Sequence, residues 1–166
     1  MASTFDLEKE VRNLAAHRDI NDTICRYFHG LDRLIPDVQL SAFHDDAYID
    51  SGYLQGSAQE FVAFAQKFVG EMVSTQHIRG QAHITVDLDV DCASGEVYFL
   101  AQHRIIAKTE AKDLFIAGRY IDEYSCKNGD WRISKRIILV DWSRTEAACD
   151  RYMKENVAVT PLGKRG

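Results

Sequence analysis

One carboxylate and three imidazoles are the side chains in this chain best suited to chemistry. Asp32 stands near the end of Arg26-Tyr27-Phe28-His29-Gly30-Leu31-Asp32-Arg33, with Tyr27 five residues before it. If the helix unwinds at Gly30, Tyr27 and Asp32 converge on one space. His77 follows Ser74-Thr75-Gln76, and His83 shares its strand parity, so both are candidates for the same position. An irregularity at Gly80 would change which of the two faces inward. His103 alternates with Val97, Phe99, Ala101 and Ile105, which puts it on an apolar face where burial keeps an imidazole neutral.

The chemistry open to an aspartate and a histidine without a metal is proton transfer. The imidazole removes a proton, while the carboxylate on its other nitrogen sets the tautomer and stabilises the imidazolium. Hydroxyls for orienting a substrate oxygen come from Tyr48, Tyr53, Tyr98, Tyr120 and Tyr124. Trp131 and Trp142 bracket the last strand, and Trp142 is a candidate pocket wall. A nucleophilic serine elbow, metal-type histidine spacing and phosphate-binding glycine motifs are all missing, so no cofactor and no metal are expected.

These residues need elements to position them. Apolar residues recur at helical spacing over 7–31, and Pro36 ends that run. Residues 37–44 read as a short second helix with Val38, Leu40 and Phe43, and 47–50 as a short strand. Ser57 followed by Glu60 forms a capping box. It opens a helix that buries Phe61, Phe64, Ala65, Phe68 and Met72 and ends near Val73. Alternation with period two then begins, with Ile78, Ala82, Ile84, Val86 and Leu88 on the apolar side. Ser94-Gly95 reads as a turn, 96–107 as a strand, 114–126 as another, Asn128-Gly129 as a hairpin turn, and 131–142 as the last long strand. A short helix is expected at 145–153 and a frayed tail at the C-terminus.

Helices first and long strands after give an α+β fold, an antiparallel sheet with helices on one face. Long twisted strands curl, and a curled sheet closed by helices makes a cone with a pocket inside. The 166 residues, 46% hydrophobic, fit a single domain over 1–166, with its core at about 8–145 and a tail at about 154–166. The net charge of −5 and the lack of a basic stripe argue against nucleic acid as a partner. No apolar run reaches the roughly 20 residues that span a bilayer. The four cysteines, Cys25, Cys92, Cys126 and Cys149, have no C-x-x-C spacing, and the N-terminus does not read as a signal peptide. A cytoplasmic protein is expected.

The segment ending in Gly30-Leu31-Asp32-Arg33, the capped helix, Thr75-Gln76-His77, Gly118-Arg119-Tyr120 and Asn128-Gly129-Asp130-Trp131-Arg132-Ile133 together resemble the nuclear transport factor 2-like superfamily, in its SnoaL-like branch, over about residues 8–145. The resemblance implies a cone-shaped α+β barrel wrapped by three N-terminal helices. Scytalone dehydratase, bile-acid 7α-dehydratase and hexachlorocyclohexane dehydrochlorinase belong there and use an Asp–His pair. The resemblance puts that pair at Asp32 and His77, a second pocket histidine at His103, and an assisting tyrosine at Tyr27. The water-holding tyrosines of such enzymes match Tyr48 or Tyr53 loosely, and the basic residue that assists a leaving halide has no secure match.

The expected function is a cofactor-independent lyase of dehydratase type. Its substrate is a small hydrophobic cyclic or polycyclic molecule, and the protein is expected to be a homo-oligomer, dimer or trimer. Two alternatives stand beside it: a ketosteroid-isomerase-like proton-shuttling isomerase, and a non-catalytic ligand-binding protein of the same fold.

Overall fold

The structure is a computed structural model that describes residues 5–108 and 110–148. Helix α1 (Leu7–Asp32) starts where the Asp6 carboxylate accepts from the Lys9 amide at 3.1 Å, which satisfies one of the free N–H groups of the first turn. It runs without a break through Gly30, so the expected unwinding there does not occur. Gly30 serves close packing instead. A Cβ at this position would lie 2.2 Å from the Gln39 amide of α2 (Pro36–Leu40). The second helix is shorter than the sequence suggests because Phe43 already belongs to β1 (Phe43–Asp50).

Strand β2 (Gln55–Ser57), which the sequence did not disclose, leads into α3 (Ala58–Gly70). The capping box is present: the Glu60 amide donates to Ser57 Oγ at 3.3 Å, and the Ser57 amide donates to Glu60 Oε2 at 2.9 Å. Phe61, Val62, Ala65 and Val69 are buried beneath this helix, whereas Phe64 and Phe68 remain 37% and 41% exposed. Met72 lies beyond its end.

Four long strands complete the chain: β3 (Ser74–Asp87), β4 (Cys92–Ala107), β5 (Glu110–Lys127) and β6 (Asp130–Ala147). The turn between β3 and β4 sits at residues 88–91, not at Ser94-Gly95. Asp91 takes the left-handed conformation there (φ 50°), and the Asp89 amide donates to Asp87 Oδ1 at 3.0 Å. Gly95 lies inside β4, where a Cβ would press on Ile84 and on the Tyr124 ring. The Asn128-Gly129 turn forms as expected, with φ of 56° and 82° at its two residues. Residues 145–147 extend β6 rather than opening a helix, pairing Leu114 with Thr145 and Lys112 with Ala147. The remainder of that expected helix, the C-terminal tail and Cys149 lie outside the described residues.

The strands form one curved, unclosed sheet in the order β2-β1-β6-β5-β4-β3. All pairings are antiparallel except that of β1 with β6, which is parallel. The ladder registers define rows that cross the sheet on its inner face. One row is His77–Ala101–Ile116–Ser143, and the next is Arg79–Phe99–Gly118–Val140. Two bulges set these rows. On β3, Arg79 pairs with Phe99 and Ala82 with Val97, so Gly80 and Gln81 together oppose Tyr98. On β6, Gly118 pairs with Val140 and Ala117 with Trp142, so Asp141 is the extra residue. Each bulge reverses which alternate residues face inward.

The β3 bulge resolves the choice between the two histidines. His77 lies before it and faces inward; His83 lies after it and is exposed. It also puts Ile78, expected on the apolar side, at 53% exposure on the outer face.

Gly118 gives this arrangement a sharp test. A Cβ there would stand 2.0 Å from the Leu139 carbonyl oxygen and 3.0 Å from the Phe99 ring. The first obstacle is backbone at the β6 bulge, so the strain has no side chain to absorb it. Gly118→Ala is expected to lower stability by about 1–3 kcal/mol, read as a lower urea midpoint at unchanged m-value. An unchanged midpoint would refute this packing.

Candidate active site

The end of α1 and the start of β3 meet through a single carboxylate. Asp32 Oδ1 accepts from His77 Nδ1 at 2.6 Å, and Oδ2 accepts from the His77 backbone amide at 2.9 Å. Both side chains are largely buried, 12% exposed for Asp32 and 7% for His77. A carboxylate only accepts, so the ring nitrogen facing it carries the proton. When the ring is neutral, this leaves Nε2 bare, with no protein partner among the described residues. Asp32 is therefore not engaged with the adjacent Arg33, whose own amide caps the helix by donating to the His29 carbonyl.

His77 lines a cavity of about 130 Å³ together with Tyr27, Phe99, His103 and Tyr120. The cavity continues outward into a wider apolar mouth of about 500 Å³ edged by Tyr53, Phe64, Phe68 and Val140. This explains the exposure of Phe64 and Phe68. Their rings stack at 6.4 Å with 16° between planes and form the rim of the opening rather than part of the core.

His103 stands beside His77 with ring centroids 5.3 Å apart. Its Nδ1 lies 2.7 Å from the Thr75 hydroxyl. Burial pushes its pKa down to about 4, the His77 charge adds to that, and Asp32 opposes it. His103 is therefore neutral at neutral pH.

The cavity floor holds a buried ion pair. Arg136 donates to Asp122 through Nε and Nη2, each at 2.7 Å, and neither side chain is exposed to solvent. The guanidinium carbon lies 4.2 Å from the Tyr27 ring centroid and 4.0 Å from that of Tyr120, and the two rings stand at 80° to each other, so the cation sits in the corner between two aromatic faces. Tyr124 donates to Asp122 Oδ2 at 2.7 Å. The Tyr27 and Tyr120 rings meet edge to face with centroids 5.6 Å apart. Burial raises the pKa of both, so both phenols keep their protons. Removing one member of such a pair typically costs about 3–5 kcal/mol, because the other charge is left buried and uncompensated.

The structure thus brings Tyr27, Asp32, His77 and His103 together, with Tyr53 at the rim on an exposed loop. It does not bring Tyr48 or Trp142 to the cavity. Tyr48 points out from β1 and is 44% exposed. Trp142 follows the bulge residue Asp141 and faces outward, where Arg144 approaches its ring at 5.7 Å. Tyr98 is also exposed, and Tyr124 is buried against Asp122.

Sequence reasoning named Tyr120 among five tyrosine hydroxyls without singling it out as a wall, and it missed Arg136 and Asp122. A signal existed: both charges fall on inward rows of adjacent strands. On β6 that row is hidden by another register shift, where Tyr124 pairs with Ile133 but Glu123 pairs with Lys135. Counted by simple alternation from Trp131 and Ile133, Arg136 lands on the wrong face. Among the described residues, no group of three or more His, Cys, Asp or Glu side chains is placed to hold a metal.

The depressed His103 pKa has a consequence for stability. The unfolded chain takes up a proton on this residue near the ordinary value of 6.5, whereas the folded chain resists it down to about 4. The contribution is complete above pH 6.5 and is lost as pH falls toward 4. Urea midpoints measured across that window should fall with decreasing pH, and should fall less in His103→Gln. Equal slopes in the two proteins would contradict the burial of a neutral imidazole.

No curated protein sequence matches the chain significantly. Solved structures share its fold at low sequence identity. One described as a putative scytalone dehydratase from Novosphingobium aromaticivorans is 18% identical, covers 93% of this chain and 97% of its own, and has a TM-score of 0.69. A hexachlorocyclohexane dehydrochlorinase, LinA-type3 from Novosphingobium barchaimii, is 18% identical over 84% of this chain and 96% of its own, at a TM-score of 0.74. A type2 LinA dehydrochlorinase is 20% identical over 84% and 95%, also at 0.74. The model of the SnoaL-like domain matches residues 12–137, most of the chain. With this match, a curved sheet wrapped by N-terminal helices and an enclosed inner face, the chain belongs to the SnoaL-like domain family within the nuclear transport factor 2-like superfamily.

Proposed function

We propose that the protein is a cofactor-independent lyase that eliminates water from a small, largely apolar cyclic substrate. The observation that carries this reading is the 2.6 Å Asp32–His77 hydrogen bond in the wall of an apolar cavity. It lies within the range expected of a base and its orienting carboxylate. His77 Nε2 takes a proton from a substrate carbon, the C–H electron pair becomes the new double bond, and the bond to the neighbouring oxygen breaks with its electrons. Asp32 stabilises the imidazolium until its proton passes to the departing oxygen, which leaves as water. Tyr27, lying against the Arg136 cation, supports a carbonyl or hydroxyl oxygen at the cavity floor.

The cavity dimensions support a ring-shaped substrate. An apolar cavity of about 150 Å³ accepts a benzene ring, so the inner chamber of about 130 Å³ suits one ring. Further rings find room against Phe64, Phe68 and Tyr53 in the mouth. A histidine base favours elimination over a ketosteroid-type isomerisation, which relies on a carboxylate base.

The test is turnover of a panel of one- and two-ring β-hydroxyketones, followed by mass spectrometry. His77→Ala and Asp32→Asn should each lower kcat by about 10²–10⁴-fold while the circular dichroism spectrum stays native. A product of unchanged mass would replace elimination with isomerisation. Full activity in both variants would remove the dyad from the mechanism.

A further inference from the structure

Thr75 and His103 form a second hydrogen-bonded pair in the same wall, two residues from the dyad, and its polarity follows from the inventory of donors. Thr75 is buried and 6% exposed, and His103 is 2% exposed. The Thr75 hydroxyl has His103 Nδ1, at 2.7 Å, as its hydrogen-bond partner among the described residues. A buried hydroxyl that fails to donate loses a hydrogen bond it had with water and gains nothing in exchange. Thr75 therefore donates, and Nδ1 accepts. A neutral imidazole that accepts at Nδ1 carries its proton at Nε2.

We infer that Thr75 is a positioning residue that fixes His103 as an Nε2–H donor facing the cavity, so that the site offers a substrate two unlike imidazoles, a bare nitrogen on His77 and an N–H on His103. The two rings sit 5.3 Å apart, and each has its Nδ1 held by a different partner, Asp32 for one and Thr75 for the other. Such a pair fits a molecule whose acidic C–H and hydrogen-bond-accepting oxygen lie on neighbouring or next-neighbouring atoms. A neutral donor also avoids placing a second cation beside the imidazolium that forms on His77 during turnover. This inference rests on reading the cavity as the site of elimination, but the tautomer itself is a property of the resting protein.

The experiment is imidazole ¹⁵N–¹H correlation spectroscopy at neutral pH on the wild type, Thr75→Val and Thr75→Ser. The expected result is an Nε2-protonated His103 in the wild type and in Thr75→Ser. In Thr75→Val, which keeps the shape and loses the hydroxyl, the tautomers should mix or reverse. On a turned-over substrate, kcat should fall about tenfold or more in Thr75→Val and recover in Thr75→Ser. An Nδ1-protonated His103 in the wild type overturns the inference, even if Thr75→Val does not fold. So does an unchanged tautomer in a folded Thr75→Val. Failure of the elimination reading would appear separately, as absent turnover with the tautomer as described.

Discussion

One carboxylate holds the end of the first helix against the edge of the sheet. Both Asp32 oxygens are used by the same residue, one by the His77 ring and the other by its backbone amide. Hydrogen bonds to a charged group contribute about 1.5–3 kcal/mol each, and this pair spans 45 positions in the chain. Using the backbone amide as well as the ring fixes the strand, not merely the side chain. A histidine tethered only through its ring could swing with χ1. Here the imidazole plane and the tautomer are set together, which is what the proposed role as a base requires before substrate arrives.

The remaining architecture shapes the cavity in front of that imidazole. The bulge at Gly80 and Gln81 lets the early part of β3 present Thr75 and His77 inward, while the later part presents Ala82, Ile84 and Val86 to the core. Gly118 clears the ground for the Phe99 ring, which stacks on Tyr120 at 4.6 Å. The Arg136–Asp122 pair lies beneath Tyr27 and Tyr120 and is fully enclosed. Burying an ion pair is expensive and seldom increases stability over apolar packing. In the proposed elimination, its position under two cavity-lining phenols puts a fixed positive charge behind hydroxyls where an oxygen gains negative charge.

The sequence carried much of this, for reasons that can be named. The capping box at Ser57 and the Asn128-Gly129 turn were legible because they are local, encoded within four residues and two. Asp32, His77 and His103 were legible from residue type, strand alternation and family resemblance. Alternation failed at each bulge, since one extra residue reverses every side chain beyond it. That is why Ile78 was expected inside and why Arg136 went unseen, whereas Trp142 was expected at the pocket only because it brackets the last strand. Tyr48 could not be placed from a strand of eight residues with neither its length nor its partner known. The stripe on α3 was correct in period but treated Phe64 and Phe68 as core, because periodicity does not tell a core from the wall of an open cavity.

The central claim is that His77 removes a proton from carbon as an oxygen departs. The measurement is to place two deuteriums on the carbon between the ketone and the carbinol of a cyclic β-hydroxyketone that turns over, then weigh the product. It should have lost one deuterium and the hydroxyl oxygen, with a primary isotope effect that disappears along with activity in His77→Ala. A product that keeps both deuteriums, or keeps the hydroxyl oxygen, would refute the elimination.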